Sequence, residues 1–271
     1  MIYITGDTHG RFRRFGQKYF PATAEDYLII CGDFGGVWDD SKEERYWLDW
    51  LDDRPFKTLF VSGNHENFEL LAELPVKEWN GGKVQFVRDN VIHLMRGQVF
   101  EIEGSTFFTM GGATSHDIKD GILEPDDPDF KNKVKRLCDI GGMFRINHFT
   151  WWKQELPSAE EYAEAEKNLD ARNRKVDYII THCAPTSVED ILGKGFFGKD
   201  KLTDYLETVR QTCKFRTWFF GHYHASKMLN EQMVLIYNDI ICYDSLMYAD
   251  VRLDCEMYYD PIQESYNIKN H

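Results

Sequence analysis

The sequence predicts an α/β fold, and three observations carry that expectation. The first 65 residues repeat one unit three times: a short apolar run, a glycine-containing polar cluster, then a more polar, helix-compatible stretch. The unit returns twice between residues 176 and 224. Short apolar runs bounded by glycine read as buried strands, and their alternation with helical stretches reads as βαβ units. The third observation is size. A chain of 271 residues, 42% apolar and 15% aromatic, can bury one large core, so a single domain over 1–271 is the simplest organisation.

Taken in order, Ile2–Thr5 precedes Gly6-Asp7-Thr8-His9-Gly10, residues 27–31 precede Gly32-Asp33, and residues 58–62 precede Gly63-Asn64-His65-Glu66. Residues 41–53 are the clearest helix among the connections. Residues 84–87, 91–95, 98–102 and 106–110 are β-prone and separated by Asp-Asn, Arg-Gly and Glu-Gly-Ser turns. They predict antiparallel strands that extend or cover the sheet. Residues 113–156 are the least regular, with a basic stretch at 131–136, Gly141-Gly142 and Trp151-Trp152, and read as an insertion or lid containing some helix. A helix over 157–174 has Ser158 as N-cap and Glu161 three residues on. Residues 176–180 form a strand ending in Thr181-His182-Cys183, 202–210 a helix, and 217–220 a strand ending in Gly221-His222-Tyr223-His224. The tail alternates polar and apolar residues around short strands.

Composition excludes some functions. With 32 basic and 45 acidic residues the net charge is −13, which opposes wrapping long nucleic acid. Small anionic substrates stay open, because a metal or a local basic cluster reverses the sign at one site. No run of about 18 apolar residues marks a membrane span, and the N-terminus does not read as a signal peptide. The six cysteines form no CxxC pair, so reduced thiols in a cytoplasmic protein are expected.

Ligands bind at the carboxyl ends of strands in such sheets, and every polar cluster falls there. The clusters hold Asp7 and His9, Asp33, Asn64 and His65, His182, and His222 and His224. Carboxylate, imidazole and amide oxygen together suit Zn, Mn or Fe, and a carboxylate can bridge two cations.

GDTHG, GDFGG, GNHE, TH and GHYH, in this order from Gly6 to His224, resemble the calcineurin-like metallophosphoesterase superfamily. The resemblance implies a four-layer αββα sandwich of two mixed β-sheets flanked by helices. It implies a dinuclear centre with Asp7, His9 and His224 on one metal, Asn64, His182 and His222 on the other, and Asp33 bridging. His65 matches the family's catalytic, non-ligand histidine, and Glu66 is expected to be structural. The implied cofactors are two divalent metal ions (Mn, Fe, Zn or Ni, with Mn favoured), which activate a water for in-line attack on phosphorus.

The sequence departs from the phosphoprotein-phosphatase pattern GDxxDR. Gly36 stands where an Asp would orient His65, and Val37 where an Arg would bind phosphate. A protein Ser/Thr phosphatase is therefore not expected, and Asp39 or Asp40 is left as a guess for the partner of His65. Arg11 and Arg13 are candidate substrate contacts, although a solvated helix face is the plainer reading of each. Lys131, Lys133, Lys135 and Arg136 read as charged surface, and at least one of Trp151 and Trp152 as core. Tyr223 is a candidate pocket-lining residue, and His93 and His148 read as structural. His116, after Gly111-Gly112, is placed near the metals by its position but is left out of the site because it is a lone histidine. The expected substrate is a small phosphoester or nucleotide, with diesters slightly favoured over monoesters because the arginine is missing. A nuclease and a non-catalytic metal-stabilised sensor or scaffold are the lesser alternatives.

Overall fold

The computed structural model describes residues 1–193 and 198–243. The rest of the expected tail and Cys255 lie outside the described residues, as does part of the expected 1–271 domain. In chain order the strands are β1 (Ile2–Thr5), β2 (Tyr27–Ile30), β3 (Lys57–Phe60), β4 (Val76–Trp79), β5 (Gly82–Arg88), β6 (Val91–Leu94), β7 (Gln98–Ile102) and β8 (Ser105–Met110). There follow β9 (Ile122–Leu123), β10 (Arg145–Ile146), β11 (Tyr178–Thr181), β12 (Thr217–Phe220), β13 (Lys227–Met228), β14 (Met233–Leu235) and β15 (Ile240–Cys242). The helices are α1 (Lys42–Asp52), α2 (Phe68–Glu73), α3 (Phe130–Asp139), α4 (Ala159–Ala171), α5 (Thr186–Gly193) and α6 (Lys201–Thr212).

Two mixed sheets form. A seven-stranded sheet runs β15-β1-β2-β3-β6-β5-β4, and a six-stranded sheet runs β13-β14-β12-β11-β8-β7. Strand alternation explains how each sheet is covered on both faces. In β2, Leu28 and Ile30 point out to Leu48 and Leu51 of α1. Ile29 points inward with Ile4, Leu59 and Ile92, against Phe107, Tyr178, Ile180 and Phe219 of the second sheet. The outer face of that sheet presents Phe108, Ile179 and Trp218 to Leu169, Val188, Leu206 and Val209 of the remaining helices. Helix, sheet, sheet and helix make the four layers that the sequence led us to expect. Among the described residues no helix is long and apolar enough to cross a membrane.

The β-prone segments between 84 and 110 do not extend one sheet. The antiparallel pair β5–β6 belongs to the first sheet, and β7–β8 to the second. Residues 95–97 carry the chain across. Gly97 takes φ +70° and its amide donates to Thr109 O at 2.8 Å. The buried Arg96 donates from Nη2 to the carbonyls of Gln154 and Glu155, at 2.8 and 3.1 Å, which pins the crossing.

The capping box at Ser158 forms as expected, with Ser158 Oγ accepting from Glu161 N and Glu161 Oε2 accepting from Ser158 N. In the 113–156 segment, β9 and β10 pair in parallel. Helix α3 buries no side chain, and its Lys133, Lys135 and Arg136 pair with Asp127, Asp139 and Asp129 as ordinary charged surface. Trp152 is buried and meets Trp38 edge-on at 5.4 Å, which makes it the core tryptophan of the pair.

Leu59→Ala, which opens a cavity between the sheets, should cost about 2–5 kcal/mol in urea unfolding. Ser158→Ala, which removes a cap, should cost about 1 kcal/mol. Equal losses in the two variants would contradict this account of the core.

Candidate metal centre

Strands β1, β2 and β3 are mutually parallel, and so are β8, β11 and β12. Their carboxyl ends bring the polar clusters of both sheets to one edge. The contact between sheets is direct: His182, after β11, reaches Cys31 O, after β2, with Nδ1 at 2.7 Å. A carbonyl only accepts, so Nδ1 carries the proton and donates, and the ring orientation is fixed as metal-ligating imidazoles require.

The local backbone is unusual at these positions. His9, Asp33, His222 and His224 take φ of 46°, 49°, 70° and 46°, left-handed values that cost L-residues energy and occur at functional sites. Two glycines leave room for the carboxylates. A Cβ on Gly63 would lie 2.0 Å from Asp33 Oδ1, and one on Gly221 would lie 2.2 Å from Asp7 Oδ1.

Asp7, His9 and His224 form one group. His224 Nε2 lies 3.2 Å and His9 Nε2 3.9 Å from Asp7 Oδ2, and the two Nε2 atoms are 3.2 Å apart. Asp7 Oδ2 is buried and accepts no hydrogen bond. A buried carboxylate oxygen facing two imidazole nitrogens is suited to a cation. Asp33 and His182 form a second group with Asp7, their ligand atoms all within 4.8 Å of one another. His182 Nε2 is 3.2 Å from both Asp33 Oδ1 and Asn64 Oδ1, and His9 Nε2 is 3.8 Å from Asp33 Oδ2. The His222 ring lies 4.9 Å from that of His182. The nitrogen and oxygen donors fit divalent metal ions of the Zn, Mn or Fe type.

Electrostatics agree with this geometry. Burial opposes ionisation of Asp33, but His182, His65 and His9 hold its carboxyl well below the usual range. Burial alone would lower the His182 pKa; Asp33 overrides it and raises it to about 9. A proton and a metal ion compete for such a nitrogen.

Supporting contacts surround these groups. Glu66 is buried and accepts from the amides of Phe34, Gly35 and Gly63 at 2.8, 3.2 and 3.4 Å, the structural role expected of it. Burial first, then Asp33, raises its pKa to about 8. Asn64 Nδ2 donates to Ser115 Oγ at 3.2 Å, and Ser115 Oγ donates to Glu155 Oε2 at 2.6 Å, a chain that turns Asn64 Oδ1 toward His182. Arg14 is buried and donates to the carbonyls of Gly6 and Asp7 at 2.8 and 3.1 Å, bracing the first cluster from behind.

His65 follows Asn64. Its amide donates to Asp33 Oδ1 at 2.8 Å, and its ring lies 5.2 Å from that of His9. Burial, with Arg145 beside it, lowers its pKa to about 4 against the pull of Asp33. Neither Asp39 nor Asp40 serves it as suggested from sequence: Asp39 accepts from Ser41 N, and Asp40 pairs with Arg45. The neighbour is Arg145 of β10, whose Nη2 is 3.5 Å from His65 Nε2 and which is paired with Asp117. Arg11 is exposed. Arg13 is exposed and lies 5.8 Å from the Trp47 ring.

Tyr223 turns toward α5, donating to Glu189 Oε1 at 3.1 Å and accepting from Ala184 N at 3.2 Å. His93 is buried between Gln85 and Phe60 as a structural residue. Sequence reasoning set His116 aside and missed Arg145. His116 Nε2 lies 3.3 Å from His222 Nε2, and Arg145 touches His65. His116 carried a signal, since it follows the end of β8, a sixth parallel strand of this kind.

The model of the calcineurin-like phosphoesterase family matches residues 1–226. The chain belongs to this family of hydrolases, which act on phosphoester bonds with divalent metal ions. Comparison with curated proteins gave no match.

Gly63→Ala should push Asp33 aside and weaken Mn²⁺ binding by more than about 100-fold, beyond the loss typical of an outer-shell change. Calorimetric titration checks it, and wild-type affinity would contradict the role given to that glycine. Mn²⁺ at 100 times its Kd should stabilise the wild-type fold by about 2.7 kcal/mol.

Proposed function

We propose that this protein is a two-metal hydrolase of small phosphoesters. The observation that carries the reading is the buried convergence of Asp7, His9 and His224 beside Asp33, Asn64 and His182 at the ends of parallel strands from two sheets. In this proposal Asp7, His9 and His224 hold one ion, Asn64, His182 and His222 the other, and Asp33 bridges. Mn²⁺ is the ion we favour. Divalent ions bound there would supply an activated water and neutralise charge on the phosphoryl oxygens.

The chain's own residues do the rest. Asp33, kept ionised by its histidine neighbours, holds the two ligand sets together. The Glu155–Ser115–Asn64 chain fixes which face of the Asn64 amide is presented. Glu66 ties the loops after β2 and β3 into one unit. His65 is the proposed catalytic residue, hydrogen-bonding to the leaving oxygen. The substrate is small because a net charge of −13 opposes a long polyanion. The slight preference for diesters rests on Val37 standing where an arginine would bind phosphate; Arg145, against His65, is a cation which that reading did not count. We place it in a reducing, cytoplasmic setting because its six widely spaced cysteines form no CxxC pair.

The Mn²⁺-loaded protein should hydrolyse p-nitrophenyl phosphate or its bis-ester. Asp33→Asn should abolish turnover together with metal binding. His65→Ala should keep the metal and lose about 10²–10³-fold in kcat, the cost of removing a preorganised hydrogen-bond donor. A wild-type protein that binds Mn²⁺ yet turns over neither ester nor any nucleotide would sink the hydrolase reading.

A further inference from the structure

We infer that Arg145 anchors a terminal phosphate, making phosphomonoesters the substrate class. This rests on the hydrolase reading above and deepens it. Arg145 comes from β10, inside the 113–156 segment, yet its side chain is 7% exposed and its guanidinium reaches His65. A two-residue strand that buries an arginine head against the proposed catalytic histidine needs a physical reason.

The charge arrangement gives one. Arg145 has Asp117 on one side, itself 40% exposed, and the imidazole of His65 at 3.5 Å on the other. The guanidinium only donates, so the neutral imidazole of His65 faces it with Nε2 as acceptor, and the two hold the fork of Arg145 beside the proposed catalytic histidine. An anion with several acceptor oxygens arriving there meets a charged donor group already in place. Phosphate fits the planar fork of arginine, which can bind two of its oxygens in parallel. Val37 is buried beside the loop that carries Asp33, so that loop presents no cation at this position. The guanidinium is supplied instead from a segment distant in sequence.

The ester class follows. A monoester phosphate is dianionic and has three terminal oxygens, enough for metal ions and a guanidinium together. A diester is monoanionic, has two, and carries a second substituent where the third would stand. A guanidinium held by a carboxylate beside His65 therefore favours the monoester.

The test uses Mn²⁺-loaded full-length protein with Arg145→Gln, Arg145→Lys and wild type. Inorganic phosphate is the probe, by calorimetry, and p-nitrophenyl phosphate and its bis-ester are the two substrates. Arg145→Gln should bind phosphate about 10–100-fold more weakly, as loss of a charged hydrogen-bonding pair predicts. Its kcat/KM for the monoester should fall by a similar factor and that for the diester by less than about 3-fold, a split that general damage would not produce. Arg145→Lys should keep the fold and still bind phosphate several-fold more weakly, because a point charge lacks the fork. Should Arg145→Gln melt early, the lysine variant decides alone. Unchanged phosphate affinity in a folded variant, or equal losses on both esters, overturns the inference. A wild-type protein that binds phosphate through Arg145 but hydrolyses neither ester would defeat the hydrolase reading and leave the anchor standing.

Discussion

Two buried carboxylates set the terms for everything else in this molecule. Asp7 and Asp33 end adjacent parallel strands, are nearly inaccessible, and bring oxygens within 4.8 Å of each other. Two unit charges at that distance repel by about 3 kcal/mol even at an effective dielectric of 20. Four histidines, an arginine behind the backbone and a protonatable Glu66 crowd around the pair. The arrangement is an expensive way to build a core and a sensible way to hold divalent cations, as members of this family do.

The backbone shares that cost. Four candidate ligands adopt left-handed conformations, each strained by about 1–3 kcal/mol. Such positions persist only where the surroundings leave no alternative. Glu66 binding three amides, and His182 bonded to a carbonyl of the opposite sheet, are surroundings of that kind. Rigidity at the strand ends thus rests on hydrogen bonds inside the loops, which the short strands alone could not provide.

The strand-end clusters were legible in sequence because each sits directly after a four-residue apolar run, where local pattern and tertiary position coincide. The capping box at Ser158 was legible for the same reason. Arg145 was not: its neighbours in sequence carry no periodic signal, and its place depends on where β10 packs. His116 was half legible, since it follows a strand-like run, but it stands alone and several residues beyond the end of that strand's apolar pattern. The crossing at residues 95–97 was also hidden, since two successive antiparallel pairs look alike whether they share a sheet or part company. The exposed ion pairs of α3 matched expectation because a wholly polar face says only that nothing covers it.

The candidate ligands do not hang from one scaffold. Asp7, His9, Asp33 and Asn64 ride on the first sheet, and His182, His222 and His224 on the second. Their spacing is therefore measured across the layer of Ile29, Leu59, Tyr178 and Phe219. A residue in that layer, far from the strand-end loops, still sets the gap between the two groups of candidate ligands. The interior layer therefore bears on the geometry of the site as well as on the stability of the fold. A volume-changing substitution in that layer alters the distance between those two groups in the same event that loosens the core.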